Sequence, residues 1–462
     1  MTFIQAASTT PTKEEDREIT FGNLRLLRYV VMFLSCGLVF IGTFEASGRV
    51  IYVSGTGNEQ DGLTWQTAFL TIQDAIDVAV GGDQIWVAAG TYPDNVTIPK
   101  AVNLFGGFSG TETDQEFDLR NPSVHETKID IENRFETAIT VEGGVTIEGL
   151  IITRARGAAV YVKSGSLDIG HCTLTGNRAL NGGGMALTNA TVNIDDCTIT
   201  SNSAERGGGG LYIIKSTVTL TDCLIAGNTA GHGGGVASGG TLVMKNCIVR
   251  GNYAAGGDLA GGGLYVGGEL TLLENCLIHG NGAGGFDDPR GSQVYFASVR
   301  DVAFNLVNCT IKGRVNGFAW NRLPPTITGS IIVGSPEIFP PVHDSPADAT
   351  VSYSCIEGGG YPGEGNINVD PLFVDPNNGD FRLKPESPCI DTGSTIGPDD
   401  DLDGNPRPVD VPGVGRDGSD AYDMGAYEFQ EGVLPPNADL DGDGKVDAKD
   451  LMLLQLQWQS GK

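Results

Sequence analysis

The sequence predicts an all-β chain wound as a right-handed single-stranded parallel β-helix, and three observations predict it. Five cysteines, Cys172, Cys197, Cys223, Cys247 and Cys276, recur 24 to 29 residues apart. Five residues after each stands an asparagine: Asn177, Asn202, Asn228, Asn252 and Asn281. Glycine runs follow, beginning at Gly182, Gly207, Gly233 and Gly261, the last after four extra residues. Such a period marks a stack of equivalent units, none of which buries its apolar face alone.

The unit itself reads as strands and bends. Val192 and Ile194 alternate with Thr191 and Asn193, then Asp195-Asp196 interrupts before Cys197 and Ile199 resume the inward face. The break is too short for a hairpin, so the chain bends and continues as a new strand. Asp and Asn tolerate the left-handed backbone of a tight bend. That accounts for Asp196, Asp222, Asn246, Asn275 and Asn308, each one residue before a cysteine. Three short strands and three bends fit one coil, and no helical period does. Coils then stack at about 4.8 Å, with the Asn amides bonding from coil to coil. The right hand follows from the preference of parallel crossovers. Gly149 upstream, and Cys309 and Cys355 downstream, continue the pattern, for roughly a dozen coils over residues 49–375. Arg314 and Gly360 replace the Asn there, so the ladder is expected to end near Asn281.

The cysteines are read as a buried thiol ladder running from Cys172 to Cys355. Equivalent positions in stacked coils have parallel Cβ vectors nearly 5 Å apart, whereas a disulfide wants Cβ atoms about 3.8 Å apart.

Composition sets the class of partner. The 462 residues carry 57 Asp and Glu against 29 Lys and Arg, a net charge of −28. That balance excludes nucleic acid, whose phosphates need basic patches, and anionic membrane surfaces. It fits an exported protein that binds cations or neutral sugars. Arg25 and Arg28 precede an uncharged run from Tyr29 to Phe44, and Ala46-Ser47-Gly48 follows. This is the layout of a secretory signal peptide over 1–48, with a retained N-terminal anchor as the alternative. Any membrane contact is expected only through this segment.

Two stretches carry a resemblance. Ile51-Tyr52-Val53, Asp61-Gly62, Trp65, Ile72-Gln73-Asp74-Ala75 and Gly82 to Tyr92 resemble the opening of secreted bacterial β-helix proteins related to pectate lyases and polymorphic outer-membrane proteins. The resemblance implies a pectin-lyase-like fold capped by a short helix, here over 72–80. The Gly-Asn-x-Ala and Gly-Gly-Gly repeats are similar to polymorphic outer-membrane repeats, whose Phe before the Asn is replaced here by Thr, Ile or Val. Val369 to Phe373, Asp380 to Leu383, Ser387 to Gly393, Asp401 to Arg407 and Asp423 to Phe429 resemble the module found near the C-terminus of β-helix proteins with varied surface anchors. Cys389 stands where that module usually has Ala. This implies an anchor-associated β-rich module over 376–430, followed by a linker at 431–437.

The strongest chemical motif closes the chain, over 438–462. Asp439, Asp441, Asp443, Asp447 and Asp450 fall at positions 1, 3, 5, 9 and 12 of a loop with Gly444 at position 6. With the Lys445 carbonyl, they form the oxygen set of an EF-hand calcium loop, Asp450 replacing the usual Glu. Leu451 to Trp458 then reads as an apolar helix. Asp at position 12, the absence of an incoming helix and the Leu-Leu-x-Leu-x-x-Trp run resemble a type I dockerin repeat, which implies Ca2+ and a cohesin-like partner. A complete dockerin has two repeats, and one is present here. Asp399, Asp401, Asp403, Gly404 and Asp410 repeat part of such a loop, but Pro406 and Arg407 interrupt it, leaving an acidic turn as the alternative.

No catalytic residues are assigned. Asp196 and Asp222 could form a carboxylate pair across coils, and Gly231-His232-Gly233 looks like the Gly-His-Gly of polygalacturonases. The slot before each glycine run, however, holds Asn181, Arg206, His232 and Ala260 in turn, as a variable surface position would. Two long turns, at 255–260 and 282–290, follow the Asn slot and are expected on one side of the rod. Asp258, Phe286, Asp287, Asp288 and Arg290 are therefore the candidate binding face. The sequence thus predicts a secreted or cell-surface, non-catalytic protein that binds polysaccharide or another surface component. A polysaccharide lyase or glycoside hydrolase is the alternative.

Overall fold

The computed structural model describes residues 48–132, 134–256, 260–284, 292–297, 303–317, 325–334, 349–358, 361–416 and 420–430. Within these the chain is a parallel β-helix. One coil shows how the sequence makes it. Met185–Thr188 is followed by a left-handed residue, Asn189 (φ 50°), then Ala190–Asp195. Asp196 (φ 43°) turns the chain into Thr198–Thr200, and Ser201 (φ 56°) turns it into a two-residue strand, Ser203–Ala204. The coil thus has a fourth short strand beyond the three expected. Two residues suffice because Arg178 and Ala179 of the coil before pair with Ser203 and Ala204.

The strands stack in register. Among the described residues they form a 19-stranded sheet that makes two faces of the coil, an 11-stranded sheet on a third, and a 5-stranded sheet at the short corner. In two coils the first two strands merge, as Leu211–Thr221 and Val236–Lys245. The bend residues hold left-handed backbone in every repeat: His171, Asp196, Asp222, Asn246, Asn275 and Asn308 before the cysteines. The glycine runs serve a different need. A Cβ on Gly184 would meet the Gly210 carbonyl oxygen at 2.6 Å, so adjacent coils touch backbone to backbone there.

The interior is a set of apolar columns. Leu174, Ile199, Ile225, Val249, Ile278, Ile311 and Ile332 lie one above another, all buried. Each contributes about 2–3 kcal/mol of transfer free energy on burial. Beside them runs the asparagine ladder. Asn202 Nδ2 donates to Asn228 Oδ1 at 3.1 Å and to the Leu174 carbonyl at 2.9 Å, and the Asn202 backbone N–H donates to the same Asn228 oxygen at 2.9 Å. The pattern repeats from Asn177 to Asn281. Its end is closed by Gln293, whose Oε1 accepts from Asn281 Nδ2 at 2.8 Å and whose Nε2 donates to the Asn281 carbonyl at 2.9 Å.

The thiol ladder is shorter than expected. Cys172, Cys197, Cys223, Cys247, Cys276 and Cys309 are buried, unpaired by disulfides and stacked. Burial pushes the Cys247, Cys276 and Cys309 thiols well up, so they are inert at neutral pH. Cys355 does not join them. It pairs with Ile331, which itself aligns with Thr310, so Ser330 and Ser354 occupy the ladder slot. A one-residue offset reverses the face of every side chain, and Cys355 points out of the coil.

The helix Ile72–Val78 lies at the N-terminal end. Thr71 Oγ1 accepts from the Asp74 N–H at 3.1 Å, and Asp94 accepts from the Ile72 N–H at 3.0 Å, so the first turn is capped twice. Ile72, Ala75 and Ile76 fall on one face and are buried. At the other end, residues 373–416 and 420–430 pack along the outside of the 11-stranded sheet. Phe373, Phe381, Leu383, Cys389 and Met424 share a buried cluster with the outward-facing Leu277, Ile331 and Cys355. Backbone contacts fix the alignment: Gly425 N–H donates to the Gly329 carbonyl at 2.7 Å, and Ala426 N–H to Thr310 Oγ1 at 3.0 Å. No helix among the described residues is long and apolar enough to cross a membrane.

Candidate functional site

The calcium-loop residues Asp439, Asp441, Asp443, Lys445, Asp447 and Asp450 lie outside the described residues, as do Asp258, Phe286, Asp287, Asp288 and Arg290. The strands that flank the two long turns are described. Tyr253 and Ala254 pair with Gly282 and Ala283, and Leu264–Val266 pairs with Val294–Phe296. Both turns therefore leave from equivalent points of adjacent coils, between the short corner strand and the next long strand.

The strands that follow this corner carry an outward row that the Cys and Asn spacing does not mark. Tyr161 aligns with Ala186, Ala186 with Tyr212, Tyr212 with Ala237, Ala237 with Tyr265, and Tyr265 with Tyr295. The alternation of faces places all of them outside the coil, because Val160, Met185, Leu211, Val236 and Leu264 face in and are buried. Tyr161, Tyr212 and Tyr265 remain partly exposed, on every second coil, about 10 Å apart. Ala186 and Ala237, with their short side chains, stand between the rings, and Ala237 is buried. Tyr265 and Tyr295 stack at 5.7 Å with 14° between their planes, and His232 sits 5.3 Å from Tyr265. Partial burial raises the Tyr265 and Tyr295 hydroxyls above their ordinary range, so both are neutral donors. The sequence held a signal for this row: Gly-Leu-Tyr recurs at 210–212 and 263–265, immediately after the glycine runs.

His232 lies in a surface slot whose occupants differ from those read by spacing. Gly207, not Arg206, is bridged to His232. The second unit has one extra residue between Asn202 and its left-handed Gly208, which shifts Arg206 out of line. Asp196 and Asp222 stack as exposed bend residues, with His171 Nε2 3.6 Å from Asp196 Oδ2. Asp195, beside them, is held above the ordinary carboxylate range by crowding out of water and then by the charge of Asp222. This acidic corner lies at the far end of the next strand from the tyrosine row.

Within the acidic run at 399–410 the chain turns back on itself, with the Asp401 N–H donating to the Asn405 carbonyl at 2.8 Å. Asp401 is buried, and its oxygens accept from the Asp403, Asn405 and Glu428 N–H groups. Asp403 is paired with Arg382 Nε at 2.6 Å.

Residues 123–266 match the family model of the right handed beta helix region. Among solved structures, the chain is similar to the pectate lyase Pel9A, with 15% identity, a TM-score of 0.52, and 83% of this chain and 96% of that one covered. It is also similar to XylC in complex with xylose, with 10% identity, a TM-score of 0.40, and coverage of 82% and 98%. A pectin methylesterase in complex with a hexasaccharide follows, with 14% identity, a TM-score of 0.34, and coverage of 72% and 98%. No curated protein matches the chain. The likeness to Pel9A is one of fold: a right-handed parallel β-helix.

Proposed function

We propose that this is an extracellular or cell-surface β-helix protein that binds an extended polysaccharide along its tyrosine row without cleaving it. The observation that carries this reading is the register of Tyr161, Tyr212 and Tyr265 on alternate coils. An aromatic ring offers a flat apolar face with a polar tip, which suits the C–H face and hydroxyl rim of a sugar. A repeat of about 10 Å along the rod is of the order of a disaccharide in an extended glycan. The similarity to a pectate lyase supports polysaccharide as the ligand class. The long turns bearing Asp258, Phe286, Asp287, Asp288 and Arg290 would border this row. The acidic chain favours a neutral glycan, or an acidic one only through bridging cations.

The C-terminal loop from Asp439 to Asp450 would bind Ca2+ and dock to a surface component, a cohesin-like protein being the partner its motif suits. That part rests on ligand spacing alone and is tested by calcium titration of the chain and of Asp443→Ala.

The test of the main reading is a screen of the chain from Arg49 against neutral and acidic polysaccharides, with and without calcium. It follows retention, new reducing ends and unsaturated product. Retention without product, lost in Tyr212→Ala and Tyr265→Ala, supports the reading. Product formation overturns it in favour of a lyase or hydrolase. The acidic corner of Asp195, Asp196, Asp222 and His171 is then the place to look, since it gathers carboxylates and an imidazole at one bend of adjacent coils, with the Asp195 carboxyl pushed up by lost hydration and the charge of Asp222.

A further inference from the structure

Cys355 and Cys389 differ from the other buried cysteines in how they meet. The six ladder thiols are stacked in parallel, one strand spacing apart, and their side chains point the same way. Parallel Cβ vectors nearly 5 Å apart do not suit a disulfide. Cys355 has left that stack through the one-residue offset that puts Ser330 and Ser354 in the ladder slot. It faces outward, into the cluster of Leu277, Ile331, Phe373, Phe381 and Met424 under the C-terminal segment. Cys389 reaches the same cluster from the opposite side, on a backbone held by Ser387 Oγ, which accepts from the Cys389 N–H at 3.2 Å. Both side chains are fully buried in this one cluster, on the two elements that meet there.

We propose that Cys355 and Cys389 form a disulfide in an oxidising compartment, fixing the C-terminal segment to the last described coils. The oxidant is a small-molecule disulfide such as oxidised glutathione. The Cys355 thiolate attacks one glutathione sulfur and expels glutathione thiolate. The Cys389 thiolate then attacks the Cys355 sulfur of the mixed disulfide and releases the second glutathione. The two protein thiols lose two electrons and two protons, and one glutathione disulfide becomes two glutathione molecules. Exchange takes place as the segment docks, because docking buries both sulfurs.

The bond would close a loop that contains exposed Glu364. The full chain is refolded with a glutathione disulfide buffer, denatured, alkylated without reductant and mapped by mass spectrometry. The expected result is one cross-linked peptide pair joining Cys355 to Cys389, with the ladder cysteines alkylated. Cleavage after Glu364 should then leave a single band on a denaturing gel that splits only with reductant. In Cys389→Ala it should split without reductant. Alkylation of both Cys355 and Cys389 in the oxidised wild-type chain, or their appearance in pairs with ladder cysteines, would overturn the proposal. The peptide map uses the wild-type chain, so the test holds even if the variant fails to fold.

Discussion

Arg407 Nη1 donates to Asn275 Oδ1 at 3.2 Å, across 132 positions of sequence. Asn275 is a bend residue of the coil, and Arg407 belongs to the segment laid on its outside. The guanidinium also donates to the Asp423 carbonyl at 2.9 Å and to the Gly425 carbonyl at 3.3 Å, and its Nε lies 3.1 Å from Glu428 Oε2. Both charged side chains are fully buried. Breaking a buried pair by removing one partner costs about 3–5 kcal/mol. Arg407→Met should therefore release the C-terminal segment, seen as faster amide exchange over 390–428 with the coil still protected. Arg407→Lys should recover little, because one ammonium cannot span four acceptors.

Asn228 tests the ladder. Its Oδ1 accepts from the Asn202 N–H and Nδ2, and its Nδ2 donates to the Ile199 carbonyl at 2.8 Å and to Asn252 Oδ1 at 3.0 Å. Asn228→Ala strands donors and acceptors in a dry interior and should cost about 3 kcal/mol or more in denaturant unfolding. Asn228→Asp keeps the acceptor but loses the donor and buries a charge, so it should be no better. Thr200→Ala, on the outer face, should change stability by less than about 0.5 kcal/mol.

The third prediction concerns pH. His279 packs 4.9 Å from Phe381, between Arg250 and Lys312 on the neighbouring coils. Burial, then the charges of Arg250 and Lys312, push its pKa down from 6.5 to about 4. The unfolded chain therefore takes up a proton between these values that the folded chain refuses. The stabilisation is complete above about pH 6.5, declines as pH falls, and is lost below about pH 4. After allowance for the ring's partial exposure it should amount to about 2 kcal/mol at most. His279→Gln should flatten this part of the stability–pH curve.

Glycan affinity gives the fourth. Tyr212→Ala and Tyr265→Ala should each weaken binding about five- to tenfold, as expected for about 1 kcal/mol of ring contact. Ala237→Arg, which sets a long charged side chain between those rings, should weaken it as well, and isothermal titration resolves both effects.

What the sequence made legible was whatever each coil must repeat. The bend residues before the cysteines and the Asn column recur because every turn needs the same backbone and every buried amide the same partner. Gln293 was not legible because it closes the column from a different strand, with a longer side chain and no repeat spacing. Cys355 misled because residue type was taken for register, and a single-residue offset sends it to the opposite face. The tyrosine row left only a faint trace in the sequence, the Gly-Leu-Tyr at 210–212 and 263–265, since Ala holds its slot in the coils between. Arg206 fell out of line for the reason a repeat hides best, one inserted residue.

The asparagine column has a direction. One amide hydrogen and the backbone N–H of each Asn point toward the coil that follows, and the oxygen that receives both belongs to that coil, while the other amide hydrogen reaches back to a carbonyl of the coil before. Until Gln293 arrives, the leading edge of a partly wound rod always presents two unmet donors and no matching oxygen of its own. Winding from the N-terminal side thus satisfies a debt left by each preceding turn. The column works as a one-way template, and each finished coil specifies the residue that must begin the next.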